Sequence, residues 1–176
     1  MHIAPLGTLT EDTENDWLIS TPIAIAALDD HQCEFLLEGY ADDPRPQEFS
    51  DAISHFLALD KSVLHAVEDD IFSYYQDCAQ FAKSEGEEVI TIAAANEVWQ
   101  HIQFGDEVLV CRRQTGDQGV YVLLECDCDW NEIEGLQIVF KNGQVINKLG
   151  PFDDFLSNAD VYGVPELEKV IYQSRG

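Results

Sequence analysis

Three carboxylates, Glu125, Asp127 and Asp129, recur at every second position of the segment VYVLLECDCDW, residues 120–130. Read as a strand, this segment puts them on one face with Tyr121 and Leu123. Val120, Val122, Leu124, Cys126, Cys128 and Trp130 share the other face. Like charges at that spacing repel unless water, a lysine or a cation relieves them. The chemistry on offer is divalent-cation ligation or acid–base work, joined by Glu132 and Glu134 just beyond. The plainer alternative is the solvated face of an acidic antiparallel sheet. With 34 acidic residues in the chain, such runs arise by number alone, so the plainer reading is preferred.

The same stretch imitates the first half of a calcium loop, with oxygen ligands at Asp127, Asp129 and Asn131. It then departs twice. Glu132 stands where the loop needs a glycine for its sharp turn, and Ile138 stands where a bidentate glutamate belongs. The cysteines (Cys33, Cys78, Cys111, Cys126, Cys128) are odd in number and lack a CxxC, which suits reduced structural thiols better than a disulfide framework or a zinc site. No nucleophile-elbow serine, SxxK, P-loop or GxGxxG occurs. The histidines (His2, His31, His55, His65, His101) lie apart, without HExxH spacing. No cofactor is called for.

The elements that must position these groups are set by periodicity. Apolar stretches from Ile3 to Leu9, Trp17 to Ile19, Ile23 to Leu28 and Cys33 to Leu37, separated by acidic turns, predict strands. Pro44-Arg45-Pro46 opens a helix with Phe49, Ile53, Phe56 and Leu57 on one face. Asp60 caps a second, longer helix on which Leu64, Val67, Ile71, Tyr75, Cys78 and Phe81 keep the helical rhythm. Residues 84–88 read as an acidic loop, leading to a short helix capped by Asn96. Strand patterns return at Glu107 to Arg113, Val120 to Trp130, Leu136 to Lys141 and Val145 to Leu149. Asn142-Gly143 between the last two is a hairpin signal, since both central residues of a type I′ turn need positive φ. Two short helices around Gly163-Val164-Pro165 end the pattern. The expectation is a single α+β domain over residues 1–176. Its antiparallel sheet, made of the N-terminal strands and a C-terminal four-strand meander, packs with a central helical hairpin.

The charge balance excludes whole classes of partner. Against 34 acids stand 9 lysines and arginines, a formal charge of -25, so approach to nucleic acid or an anionic membrane meets repulsion with no counterion release to offset it. A hydrophobic share of 45 % is that of a folded domain rather than an acidic disordered polymer. No apolar run reaches transmembrane length, and the N-terminus lacks the basic start of a secretory signal. The expected location is cytoplasmic.

Residues 125–150 (ECDCDWNEIEGLQIVFKNGQVINKLG) resemble a family of small, uncharacterised bacterial domains. Its strongest segment reads roughly Cys-x-Trp-acid-x-Glu-His-Gly-Leu-x-Ile-x-Phe-x-Asn-Gly. Cys128, Trp130, Gly135, Leu136, Ile138, Phe140, Asn142, Gly143 and Gly150 fit. Ile133-Glu134 replaces the Glu-His pair. The resemblance implies the meander and carries no activity.

Two readings of function remain. The first is a non-enzymatic protein-binding module, an immunity-like neutraliser of a basic protein, whose field speeds encounter with a cationic partner. Its contacts would come from Asp42 and Asp43, from Glu68, Asp69 and Asp70, and from Glu85, Glu87 and Glu88. The alternative is a small divalent-metal-dependent enzyme using Glu125, Asp127, Asp129 and Glu134.

Overall fold

The computed structural model describes residues 1–174. A two-stranded ribbon, β1 (His2–Ile3) with β2 (Gly7–Thr8), precedes the main sheet. That sheet has eight strands: β3 (Thr10–Asp12), β4 (Trp17–Ile19), β5 (Ile23–Ile25), β6 (His31–Glu38), β7 (Ile102–Arg112), β8 (Val120–Cys128), β9 (Leu136–Lys141) and β10 (Val145–Gly150). They run in the order β10-β9-β8-β7-β6-β4-β3, with β5 also paired to β6.

The class is α+β, as the periodicity implies. The sheet, however, is mixed rather than antiparallel throughout. β6 and β7 run parallel, with Leu36 opposite Leu109 and Leu37 opposite Val110. A helical crossover between them carries the chain back to the end at which β6 began, so the next strand enters in the same direction. This one pairing fuses the N-terminal strands and the C-terminal meander into a single sheet.

The crossover consists of α1 (Gln47–Leu57), α2 (Ser62–His65) and α3 (Glu68–Ser84). Asp60 stands one residue before the Lys61 cap position of the short α2, its Oδ1 accepting from the Ser62 amide at 2.8 Å, and does not cap the long α3, which Val67 precedes. The long second helix is broken, however: Val67 leaves helical geometry at φ -115°, ψ 14°. Beyond the break Ile71 and Tyr75 keep the expected inward face, Tyr74 and Ala79 join them in the core, and Phe81 stays 69 % exposed. A 3₁₀ turn over Ala95–His101 leads into β7.

The helices cover one face of the sheet. Phe49, Ile53 and Phe56 of α1 join Phe35, Leu37, Val122 and Phe140 of the strands in one continuous core. Phe56 stands edge-on to both Phe35 and Phe140. Cys126 and Cys128 belong to this inner core, as the alternation of β8 requires.

The Asn142-Gly143 hairpin forms with both residues at positive φ, 52° and 67°, and the Gln144 amide closes the turn on the Lys141 carbonyl at 3.0 Å. The turn is docked on α1 so closely that a Cβ on Gly143 would run into the Ala52 carbonyl oxygen. After β10 the chain crosses the other face of the sheet as a strap containing α4 (Asn158–Tyr162) and a 3₁₀ turn over Pro165–Lys169. No helix among the described residues is long and apolar enough to cross a membrane.

Candidate functional site

The outer face of the sheet is only partly covered. Leu36 and Glu38 of β6, Glu107, Leu109 and Cys111 of β7, Leu123 and Glu125 of β8, and Gln137 of β9 are directed away from the helices by alternation. At one end the strap closes over them, Leu156 packing with Tyr121, Leu123 and Val139. What remains open is a cleft of about 800 Å³. Its floor is apolar, from Leu36, Leu109 and Leu123, and Phe152 and Phe155 of the strap are exposed at its side.

The strap is fixed by polar bonds at several points. The Phe152 amide donates to the Glu134 carbonyl at 3.0 Å, and Asn147 Nδ2 donates to the Leu156 carbonyl at 2.8 Å. Lys148, 2 % exposed, donates from Nζ to Asp153 at 2.6 Å and to Gln137 Oε1 at 3.2 Å. Arg113, 3 % exposed, donates to both oxygens of Asp160 at 2.8 and 2.9 Å and to Glu168 at 2.5 and 2.9 Å.

The cleft is electrostatically lopsided. The two arginines at its edge are spent internally, Arg113 on the strap and Arg112, whose side chain turns to the helix side over Phe49, on Asp43 (2.6 and 2.9 Å) and Glu48 (2.6 Å). Glu38, Glu107, Glu125 and Asp154 line the same cleft, are exposed, and form no ion pair among the described residues. Burial raises the Glu125 carboxyl above its ordinary range, and the neighbouring Asp127, Glu107 and Asp154 raise it further. A β-bulge sets Glu107 there, the β7–β8 register slipping between Phe104 and Val108. Gly105 lets the bulged backbone press on the Glu125 carbonyl, where a Cβ would lie 2.8 Å from the oxygen, and bulges of this kind re-aim the side chains beside them. Cys111 also lines the cleft, but burial pushes its thiol up to about 12. It is therefore no thiolate nucleophile at neutral pH.

The carboxylates singled out by sequence separate in space. β8 ends at Cys128, so Asp129 lies past the strand and not on its face as the spacing suggests. It turns back to His101, with 2.9 Å between Oδ2 and the ring Nδ1. Glu134 is held in the loop after β8, accepting from Asn131 Nδ2 at 3.1 Å. Glu125 and Asp127 alone keep the predicted relationship on the strand. Among the described residues no three His, Cys, Asp or Glu side chains converge as a metal-ligand set.

The acidic contact candidates lie at three places. Asp42 is exposed, whereas Asp43 is locked on Arg112 with its side chain 6 % exposed. Glu68 accepts from the Trp99 indole at 2.7 Å and pairs with His65 at 2.6 Å, while Asp69 is exposed and Asp70 half-buried on the first turn of α3. Glu85, Glu87 and Glu88 are exposed in the loop after α3. Of these, Asp43 shares the cleft with Glu125.

Residues 5–156 match the family described as Domain of unknown function (DUF6985). The chain belongs to the DUF6985 family. No curated protein and no solved structure matches it. The DUF6985 match takes in the whole main sheet and the first part of the strap, and ends before Asp160 and Glu168, the residues that Arg113 holds.

Gln137, Lys148, Arg113 and Glu107 have no place among the residues that sequence reasoning singles out. For Gln137 a signal exists: it is a polar side chain inside the otherwise apolar run Leu136–Phe140, on the face opposite the core residues Leu136 and Ile138, whereas Lys148 follows Asn147 and carries no such mark. For Glu107 no local signal exists, because the bulge in the antiparallel β7–β8 ladder brings it beside Glu125.

Proposed function

We propose that this protein is a non-enzymatic binding module that holds a basic segment of a partner protein in the outer-face cleft, as an immunity-like neutraliser would. The observation that carries this reading is the set of carboxylates without ion pairs among the described residues, Glu38, Glu107, Glu125 and Asp154, standing around an apolar floor whose neighbouring arginines are already engaged. Such a site favours a segment that alternates cationic and apolar side chains: the cations meet the rim and the apolar groups meet Leu36, Leu109 and Leu123. It disfavours anions by the same electrostatics. The overall charge of -25 adds long-range attraction for such a partner and speeds its encounter.

The test is titration calorimetry with the acetylated, amidated peptide Arg-Leu-Arg-Leu-Arg, on the protein and on the double variant Glu107→Gln/Glu125→Gln. Binding that weakens with added salt and falls about ten-fold in the variant is expected, since each lost rim contact is a partly desolvated charge pair. Equal affinity in the two proteins, or no binding at low salt, overturns the reading.

A further inference from the structure

One polar atom in the wall of the cleft has no hydrogen-bond partner among the described residues. Gln137 is 0 % exposed, lines the cleft, and its Nε2 makes no hydrogen bond among the described residues. Its orientation is set by chemistry: Lys148 Nζ donates to Oε1 at 3.2 Å, and turning the amide over would set donor against donor. Asp153 holds the same ammonium at 2.6 Å. The row Asp153, Lys148, Gln137 is thus a polarised chain, and the cation on Oε1 strengthens Nε2–H as a donor. A buried donor with no acceptor is unfavourable, so its retention in a cleft wall is informative.

Resting on the binding-module reading, we infer that Gln137 Nε2 reads a carbonyl of the bound segment's main chain. The donor demands an acceptor. Glu107, Glu125 and Asp154 stand around the same cleft, and their charge makes a carboxylate or phosphate acceptor unfavourable, which leaves a neutral one. An amide carbonyl is the neutral acceptor that every peptide supplies, whatever its side chains. The rim therefore selects for cationic side chains, and Gln137 fixes the depth and register of the backbone that carries them.

Proton-detected NMR on ¹⁵N-labelled protein tests this, with the Gln137 side-chain amide assigned by its loss in Gln137→Met. Adding the amidated Arg-Leu-Arg-Leu-Arg peptide should shift one of the two Gln137 amide protons downfield and slow its exchange with solvent. Spermine, a polycation without a carbonyl, should shift rim resonances and leave that proton in place. The Gln137→Met protein should bind the peptide about five-fold more weakly, the worth of one neutral hydrogen bond. Salt-dependent peptide binding with an unmoved Gln137 amide overturns this inference and leaves the binding module standing. A shift produced equally by spermine overturns it too, since the amide would then be reporting charge alone. No binding of the peptide by the protein overturns both.

Discussion

Arg112 and Arg113 are neighbours in the chain and reach opposite faces of the sheet. Arg112 lies over the ring of Phe49 in the inner core, 5.7 Å from its centroid, and Arg113 lies over Tyr121 in the outer cluster at 5.9 Å. The period of two that places apolar residues on alternate faces of β7 also sends two guanidinium groups in opposite directions. Each fastens a different segment: Arg112 the Asp43 loop and the start of α1 at Glu48, Arg113 the strap at Asp160 and Glu168.

Replacing Arg113 should therefore loosen the strap and expose the outer cluster. Arg113→Ala leaves Asp160 and Glu168 without their cation and removes the bond to Ser157 (2.9 Å), and breaking such a buried pair costs about 3 kcal/mol. Arg113→Lys should recover little, because a single ammonium does not reproduce a planar fork engaged by two carboxylates. Urea denaturation measures the difference. A loss well below that of a buried ion pair, under ~1 kcal/mol for Arg113→Ala, would show that the strap is held by Leu156 and the backbone bonds instead.

Gly143→Ala should be far more damaging than Gly163→Ala, although both glycines sit at positive φ, 67° and 66°. At Gly163 a Cβ meets open space, so only the backbone penalty of about 1 kcal/mol applies. At Gly143 it collides with the Ala52 carbonyl oxygen, a backbone atom that moves only if the hairpin lifts off α1. The expected cost is roughly 3 kcal/mol or more. Thermal melting of the two variants side by side decides it, and equal melting temperatures would refute the docking.

Much of this was legible in the chain, and the failures have physical causes. Asn142-Gly143 announced its turn because φ > 0 is a local demand, met by few residue types. The faces of β8 were legible because alternation is also local, which is why Cys126 and Cys128 lie in the inner core. The parallel pairing of Leu36 with Leu109 was not, since it joins residues across the whole helical crossover and no turn chemistry marks it. That pairing brings Leu36 and Glu38 to the cleft, while Glu107 stands beside Glu125 through the bulge in the β7–β8 ladder, which the alternation pattern does not mark. Phe81 failed for a different reason: Ile71 and Tyr75 keep the counted face inward past the non-helical Val67, but Phe81 lies near the end of α3 at the margin of that face and stays exposed.

Glu125 works against the fold. Its carboxyl is raised by partial burial and by the like charges of Asp127, Glu107 and Asp154, so the ionised form is less at ease in the folded protein than in the unfolded chain. Glu125→Gln should stabilise by about 0.5 kcal/mol at neutral pH, the scale of a like-charge cross-strand repulsion. The same change should weaken binding of the Arg-Leu-Arg-Leu-Arg peptide. Chemical denaturation gives the first quantity and calorimetry the second. A variant that is less stable than the parent would contradict the assigned repulsion.

The opposite signs of these shifts separate binding from stability on acidification. Hydrogen bonds from Arg113 hold Glu168 below its ordinary 4.5, and although burial opposes them at Asp160, they hold that group below its ordinary 3.8. A depressed folded-state value contributes stability that is present above the unfolded value and lost as pH falls through the folded one, so the clamp persists down to about pH 4 and fails below it. Glu125 is raised, so it takes up its proton earlier on the way down, and its protonation relieves repulsion rather than breaking a bond. Lowering the pH from 7 towards about 4.5 should then reduce peptide affinity while the melting temperature holds or rises slightly. Below about pH 4 the melting temperature should fall, and Arg113→Ala, which lacks the clamp, should fall less. Calorimetric titrations and melting curves at matched pH steps check both limbs. Affinity and melting temperature declining together from neutral pH would mean that the rim and the clamp titrate as one system, and Glu125 would no longer stand apart from the residues that hold the strap.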